Sequence, residues 1–328
     1  MRLLVTGATG FIGSRLTARA IAAGHAVAAL TRDASRASAL AELGASVVEG
    51  DVSSLRPESI APALGELDAV VHLAASLDYF GDPAALARAN VDATRNVLDL
   101  AAACGASTFV LASSIEAQGP VALADAPAPE SLPARPVSAY GQSKLDAEEL
   151  ARASAAPSLR ILRYANVYGD GPSFLLPMVE ALERGGPLID FLPQTAERRL
   201  HPVHVDDTVE ATLAALAPER PAGTFSIAGP EAVAFRDLFV KLARALERDA
   251  GPLERVRPRA PGLRLRLRQR KAKRRGRADL LAYLMAGEGD RVHRAYATDA
   301  ATRELGFRPA VDLDSGLARC LEWASGRP

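Results

Sequence analysis

Cysteine is nearly absent from this chain: Cys104 and Cys320 are the only two among 328 residues. They lie far apart and show no metal-ligand spacing. Each sits in an apolar helical context, so both read as plain buried thiols. Long apolar runs are missing too, and none reaches the roughly 20 residues of a membrane helix. The opening residues, Met1-Arg2-Leu3-Leu4-Val5, enter a strand-like run at once. That leaves no room for a signal peptide and predicts a cytoplasmic location. The 39 basic and 39 acidic residues balance overall, yet residues 264–277 hold nine basic side chains and no carboxylate. The rest of the chain is therefore mildly acidic, with one strongly basic segment.

What is present is ordered. The first half alternates short apolar runs with longer amphipathic ones, as βαβ units do. Strands are predicted at Leu3–Thr6, Ala26–Leu30, Ser46–Glu49, Ala69–Leu73, Thr108–Ala112 and Leu159–Tyr164, with helices at Ile12–Ala23, Ala34–Leu43, Pro83–Cys104 and Ala139–Ala155. After about Gly169 proline and glycine become frequent, helices shorten, and Thr224–Ala228 stands as an isolated strand-like piece. The fold class is α/β: a Rossmann, doubly wound parallel sheet over residues 1–168, with returning segments from the second half. Residues 169–328, including the basic stretch, form a smaller α/β substrate lobe.

The first strand runs into Thr6-Gly7-Ala8-Thr9-Gly10-Phe11-Ile12-Gly13 and then a helix. Glycines at those places let the backbone turn tightly and approach a pyrophosphate, which the helix N-terminus attracts. The context of strand, glycine turn and amphipathic helix points to a dinucleotide site formed by Gly7, Gly10, Phe11, Ile12 and Gly13. The second strand bears on which dinucleotide. A carboxylate at its end suits the ribose of NAD, and an arginine suits the extra phosphate of NADP. Thr31 occupies the usual place of the acid, and Arg32 follows, with Ser35 and Arg36 nearby. NADP is preferred on this reading. NAD stays open, with Asp33 taking the ribose and Arg32 a solvated charge.

Further segments extend the pattern: Gly50-Asp51-Val52, His72-Leu73-Ala74-Ala75, Asn90-Val91-Asp92-Ala93-Thr94, Ala112-Ser113-Ser114, Tyr140-Gly141-Gln142-Ser143-Lys144 and Arg163-Tyr164-Ala165-Asn166-Val167-Tyr168-Gly169. His204-Val205-Asp206-Asp207, Phe225-Ser226-Ile227-Ala228-Gly229-Pro230 and Leu305-Gly306-Phe307 with Pro309 continue it. In order and spacing these resemble the extended short-chain dehydrogenase/reductase family, also called the NAD-dependent epimerase/dehydratase family. The resemblance implies that Asp51 and Val52 contact the adenine. It implies that Leu73, Ala74 and Ala75 pass along the cofactor, and that Asn166 and Val167 lie near the nicotinamide and the substrate.

Tyr140 and Lys144, four residues apart, share one face of the predicted helix. A free tyrosine, with a pKa of about 10, is a poor base. A lysine ammonium one turn away stabilises the phenolate and lowers that pKa. The resemblance implies that Lys144 also binds the nicotinamide ribose and that Tyr140 exchanges a proton with the substrate oxygen. The matching serine lies five residues before Gly119, which makes it Ser114, and Ser113 is the neighbouring alternative.

Several reactions share this set. Dehydratases of the family resemble Thr-Asp-Glu at the serine, whereas this chain has Ser114-Ile115-Glu116, and Ile115 cannot donate a proton. Sugar-nucleotide enzymes carry a diphosphate-binding Arg-Pro-Gly-Asp pattern. Here Gly287-Glu288-Gly289-Asp290 lacks the arginine, with Arg291 and Arg294 as substitutes. The segments 114–120 and 136–140 resemble the 3β-hydroxysteroid dehydrogenase and dihydroflavonol reductase side of the family. The aromatic loop Leu77-Asp78-Tyr79-Phe80 stands where a substrate enters, with Tyr79 and Asn166 as contacts. An NAD(P)-dependent dehydrogenase or reductase leads. A nucleotide-sugar epimerase with retained NAD is the alternative, and a non-catalytic cofactor-binding sensor or assembly factor stands behind it. His201 and His204 fit a structural motif rather than a metal site. The basic segment, without interleaved aromatics, does not suit nucleic acid. It leaves open a peripheral contact with an anionic membrane, a phosphorylated substrate, or plain solvent exposure. By family analogy a homodimer is expected through the helices at Pro83–Cys104 and Ala139–Ala155.

Overall fold

The computed structural model describes residues 1–79, 81–154, 158–259, 267, 286–287 and 290–326. Phe80 and the basic stretch, apart from Leu267, lie outside the described residues.

From the amino terminus, β1 (Arg2–Thr6) leads through the glycine turn into α1 (Phe11–Ala22), and β2 (Ala26–Thr31) follows. A 3-10 turn (Ala34–Ala37) and α2 (Ser38–Glu42) stand where the sequence predicts one helix. The Asp33 carboxylate accepts from the Ser35 N–H at 3.0 Å, and this cap starts the tighter turn. Next come β3 (Ser46–Glu49), α3 (Pro57–Leu64) and β4 (Ala69–His72). The helix expected over Pro83–Cys104 is divided into α4 (Pro83–Leu86), a π turn (Ala87–Asp92) and α5 (Ala93–Ala103). The chain continues through β5 (Thr108–Ser114), α6 (Ile115–Gln118), α7 (Ala139–Ala153), β6 (Leu159–Tyr164) and β7 (Asn166–Tyr168).

Seven strands, all parallel, form one sheet in the order β10-β6-β5-β4-β1-β2-β3, where β10 is Gly223–Ile227. The order reverses between β1 and β4, and a crevice for a ligand opens at such a switch point. Residues alternate across the sheet as the strand period requires. Leu3, Val5, Val71, Val110 and Leu162 pack on one face with Leu16 of α1. Leu4, Val70, Phe109, Leu111 and Ile161 pack on the other with Val97 and Leu100 of α5.

The second half divides its elements between sheet and lobe. Helices α8 (Leu176–Arg184), α9 (Pro187–Asp190) and α10 (Leu192–Thr195) precede β8 (Arg199–Leu200) and β9 (Pro202–His204). Then α11 (Val205–Ala214) returns to the body, where Val209 and Ala211 join the cluster around α1. The piece read as an isolated strand, Thr224–Ala228, is in fact the seventh strand of the main sheet: β10 (Gly223–Ile227) pairs with β6. Its apolar alternation, Phe225 and Ile227 inward, matches the half-covered edge it occupies. The lobe is completed by β11 (Val233–Ala234), α12 (Phe235–Ala245), α13 (Gly251–Glu254) and the terminal helix Leu313–Ser325. Its own core gathers Tyr168, Met178, Phe235, Phe239, Leu317 and Leu321. Cys104 and Cys320 are buried in separate apolar clusters. Among the described residues no helix is long and apolar enough to cross a membrane.

Candidate active site

At the switch point the chain turns at Gly7, with φ +68°, where a Cβ would stand 2.8 Å from the Ala74 nitrogen. A Cβ on Gly13 would come within 2.1 Å of the Gly7 carbonyl oxygen. Only glycine lets β1, the turn and α1 come this close to the loop after β4. Helix α1 has glycine at its N-cap, no capping side chain and no carboxylate in its first turn. Its leading N–H groups and positive dipole end are thereby left for an anion, which fits a dinucleotide pyrophosphate. Phe11 and Ile12 begin that turn, and the Arg15 guanidinium lies 4.9 Å from the centre of the Phe11 ring.

Around this turn the remaining dinucleotide candidates are held by backbone and short side chains. The Asp51 carboxylate accepts from the N–H and hydroxyl of Ser53, which holds it below the usual carboxylate range. The Val52 carbonyl accepts from the Asn96 amide at 2.9 Å. Leu73, Ala74 and Ala75 leave β4 beside Thr6, whose hydroxyl accepts from the Ala74 N–H at 3.2 Å and shares a 2.7 Å hydrogen bond with His72. Burial, with the Lys144 charge adding to it, lowers His72 to about 3, so this imidazole is neutral. At the end of β2, Arg32, Ser35 and Arg36 are exposed, while Ser35 engages the Asp33 carboxylate by hydroxyl as well as N–H.

The catalytic candidates converge at the carboxyl end of β5. Ser114 caps α6, its hydroxyl accepting from the Glu116 N–H at 3.2 Å, and it stands near enough to the Tyr140 phenol to pull its pKa down. Tyr140 opens α7 and is only 4% exposed. Lys144 follows one turn on, its ammonium donating to the Ala112 carbonyl at 2.6 Å. The structure thus brings Ser114, Tyr140 and Lys144 together. It does not bring Ser113 to them. The strand period sends Ser113 to the opposite face, where its hydroxyl donates to Glu148 at 2.5 Å.

Electrostatics here differ from the expectation that lysine lowers the tyrosine pKa. Burial raises the Tyr140 phenol, the Ser114 hydroxyl opposes that, and the Glu116 charge adds to it. Lys144 itself is lowered to about 8 by burial, with the Glu148 charge working the other way. Desolvation dominates both shifts because both groups sit in the protein interior. Tyr140 therefore carries its proton in this state.

Two contacts of the site join residues that the sequence does not link. Asn90 projects from the π turn, accepting from the Ser76 N–H at 2.7 Å and donating to the Ser143 hydroxyl at 2.8 Å. Ser143 in turn donates to the Tyr140 carbonyl. The π turn rotates Asn90 inward, and such turns concentrate at functional sites. The second contact is an ion pair. Arg294 reaches Glu116 with Nε at 2.6 Å and Nη2 at 3.3 Å, both side chains 1% exposed. Residues 293–297 deliver Arg294 by pairing with Val121 and Ala128, and the Tyr296 hydroxyl donates to the Gly119 carbonyl. Arg294, considered as a substitute ligand for a diphosphate, is thus engaged with Glu116.

Of the remaining candidates Tyr79 stands against Tyr140, and the others sit on β7, on or beside β9 and at the start of α11. The Tyr79 ring lies 4.9 Å from the Tyr140 ring. The Asn166 side chain accepts from the His201 N–H at 3.1 Å, and Val167 pairs with Val203 across β7 and β9. His201 is held between the Gly229 carbonyl and the Tyr296 N–H, and burial lowers it to about 4. His204 caps α11 by accepting from the Asp206 N–H.

Known proteins with similar chains bear on this geometry. A family model described as the NAD dependent epimerase/dehydratase family matches residues 3–228. A dTDP-glucose 4,6-dehydratase of Streptomyces griseus is 30% identical, over 98% of this chain and 93% of its own. A 3-diazoavenalumate denitrifying reductase of a Streptomyces species is 34% identical, over 67% of this chain and 73% of its own. Among solved structures, DesIV, a dTDP-glucose 4,6-dehydratase of Streptomyces venezuelae with NAD and TYD bound, superposes with a TM-score of 0.74. That match covers 99% of this chain and 97% of the other at 26% identity.

Proposed function

The chain belongs to the NAD-dependent epimerase/dehydratase family, and on that footing we propose that it is a reductase or dehydrogenase acting on a carbonyl/alcohol pair. The observation that carries this reading is the fate of Glu116. In an elimination of water the carboxylate at this position has to act as a base, with an acid beside it. Here the neighbouring residue is Ile115, and Glu116 is closed into a buried pair with Arg294. That carboxylate is committed to its guanidinium partner, because breaking the pair would leave Arg294 buried without its counter-charge. Proton transfer then falls to Tyr140, supported by Ser114.

A nicotinamide dinucleotide, when bound, supplies or takes up the hydride. The residues of the chain do the rest. The Ser114 hydroxyl and the Tyr140 phenol hold the substrate oxygen between them, and Tyr140 gives that oxygen its proton. A phenol that keeps its proton at neutral pH suits this donation. Lys144 would hold the ribose hydroxyls of that dinucleotide, and it stands one helical turn from the phenol. Tyr79, packed on Tyr140, and Asn166 form the wall against which the substrate lies.

NADP is the preferred cofactor on this reading, with NAD the alternative. Support comes from Arg32, Ser35 and Arg36, which stand exposed at the end of β2 while Asp33 is engaged within its own turn. Pairing of two chains through α5 and α7 would bring together Arg88, Asp92, Arg95, Asp99, Gln142 and Glu149, all exposed. A homodimer made there would be polar and salt-sensitive, which sedimentation at two ionic strengths checks. The reading as a whole is tested by Tyr140→Phe, which should abolish ketone reduction while dinucleotide binding persists. Full activity in that variant would refute it.

A further inference from the structure

Behind the site lies a group of charges that the chemistry above does not use. Glu148 is fully buried on α7, one helical turn after Lys144. Its carboxylate accepts from Arg163 at 2.9 and 2.7 Å, from Arg152 at 2.8 Å and from the Ser113 hydroxyl at 2.5 Å. Arg163 also donates to the Gln118 side chain of α6, and Arg152 to Thr224 on β10. One carboxylate thus joins α7 to β5 and β6, and through its arginines to α6 and β10. Four hydrogen bonds from three side chains immobilise it one helical turn from Lys144.

We propose that Glu148 is a positioning residue for Lys144: its fixed negative charge holds the buried lysine in its protonated form, facing the carboxyl end of β5. This rests on the oxidoreductase reading given above. The geometry has few competitors for the role. On α7 the neighbours are Tyr140, which is neutral, and Glu148. From β4 comes the neutral His72, from β5 the Ala112 carbonyl with Ser114, from β6 Arg163, already paired with Glu148, and from α6 Glu116, already paired with Arg294. The charged side chains of the π turn and α5, Arg88, Asp92, Arg95 and Asp99, are exposed and screened. Burial alone works against the ammonium, and Glu148 is the charge that opposes it.

The composition makes a direct test practical. Lys144, Lys241, Lys271 and Lys273 are the only lysines, so carbon-13 labelling at the lysine Cε gives four resonances to titrate in the whole protein without substrate. In the wild type the Lys144 resonance should titrate near pH 8. Glu148→Gln should move that midpoint down by about one pH unit, roughly a tenfold loss in proton affinity. Glu148→Asp should stay close to the wild type. The alkaline limb of the pH–rate profile should move with the resonance. A merely structural Glu148 predicts the reverse, because a loosened interior admits water and lets Lys144 rise towards an ordinary lysine. A rise or no change in folded Glu148→Gln overturns the proposal. If that variant does not fold, Arg152→Met decides. This arginine is 42% exposed and lies 2.8 Å from the Glu148 carboxylate, so its removal should raise the Lys144 midpoint at unchanged Tm, and an unmoved midpoint overturns the proposal. Failure of the oxidoreductase reading would show separately, as full turnover in Tyr140→Phe.

Discussion

The two sides of the switch point are built from different materials. On the dinucleotide side, from β1 to β3, glycine turns, an uncapped helix end and short side chains form the site, and no charged side chain of residues 1–71 is buried. On the catalytic side, Glu116, Lys144, Glu148, Arg163 and Arg294 are all buried within the ends of β5, β6 and α7 and the segments that cover them. The first side has to receive a ligand that brings its own charge, so it offers oriented N–H groups and leaves its ionic groups in water. The second has to hold proton-transferring groups in fixed states, which calls for buried charges, each with its partner.

The largest effect that would sharpen this contrast is at Tyr140. Removing its hydroxyl, as Phe, should lower kcat by at least about 10²-fold and leave the dinucleotide Kd unchanged, since the two functions reside on different sides. Steady-state turnover and calorimetric titration check both halves. Next comes the Glu116–Arg294 pair. Arg294→Met alone leaves a buried carboxylate unpaired and should destabilise the protein by about 3–5 kcal/mol, while the double variant with Glu116→Gln recovers most of that. Urea unfolding of the three proteins decides it, and a double variant no better than the single would break the account.

Acid provides a gentler probe. His72 and His201 are held at about 3 and about 4, below the ordinary histidine value of 6.5, because their neutral forms are buried. Between those values and pH 6.5 the unfolded chain binds more protons than the folded one. Stability is therefore full above pH 6.5 and falls as the pH drops through that window. The urea midpoint should be lower at pH 5 than at pH 7. The smallest effect belongs to the dinucleotide side: Arg32→Ala should weaken NADPH binding about tenfold, the scale of one charge-assisted phosphate contact, and leave NADH binding and Tm unchanged. Equal losses for both dinucleotides would remove Arg32 from the phosphate site.

This division also explains what could be read in the sequence. Gly7, Gly10 and Gly13 announce their turn because the constraint is local, and the strands of the first half appear as apolar runs because both sheet faces are covered. Tyr140 and Lys144 are a helical turn apart, so their spacing is visible too. Glu116 and Arg294 are separated by 178 residues, and nothing local says that the two meet. Ser113 and Ser114 are adjacent, and only the strand register shows which one faces Tyr140. The π turn that aims Asn90 leaves no mark in the helical pattern around it. The seventh strand looked isolated because its partner, β6, lies some 60 residues earlier, with Gly223 opposite Arg160.

The most direct test of the central claim compares three proteins in one assay: wild type, Tyr140→Phe, and the Glu116→Gln/Arg294→Met double variant. Each is offered NADPH and NADH with a panel of ketones and aldehydes, and separately dTDP-glucose with NAD. The account predicts that the wild type and the double variant oxidise the reduced dinucleotide and that Tyr140→Phe does not. Loss of water from dTDP-glucose by the wild type, abolished in the double variant, with no ketone reduced, would contradict it.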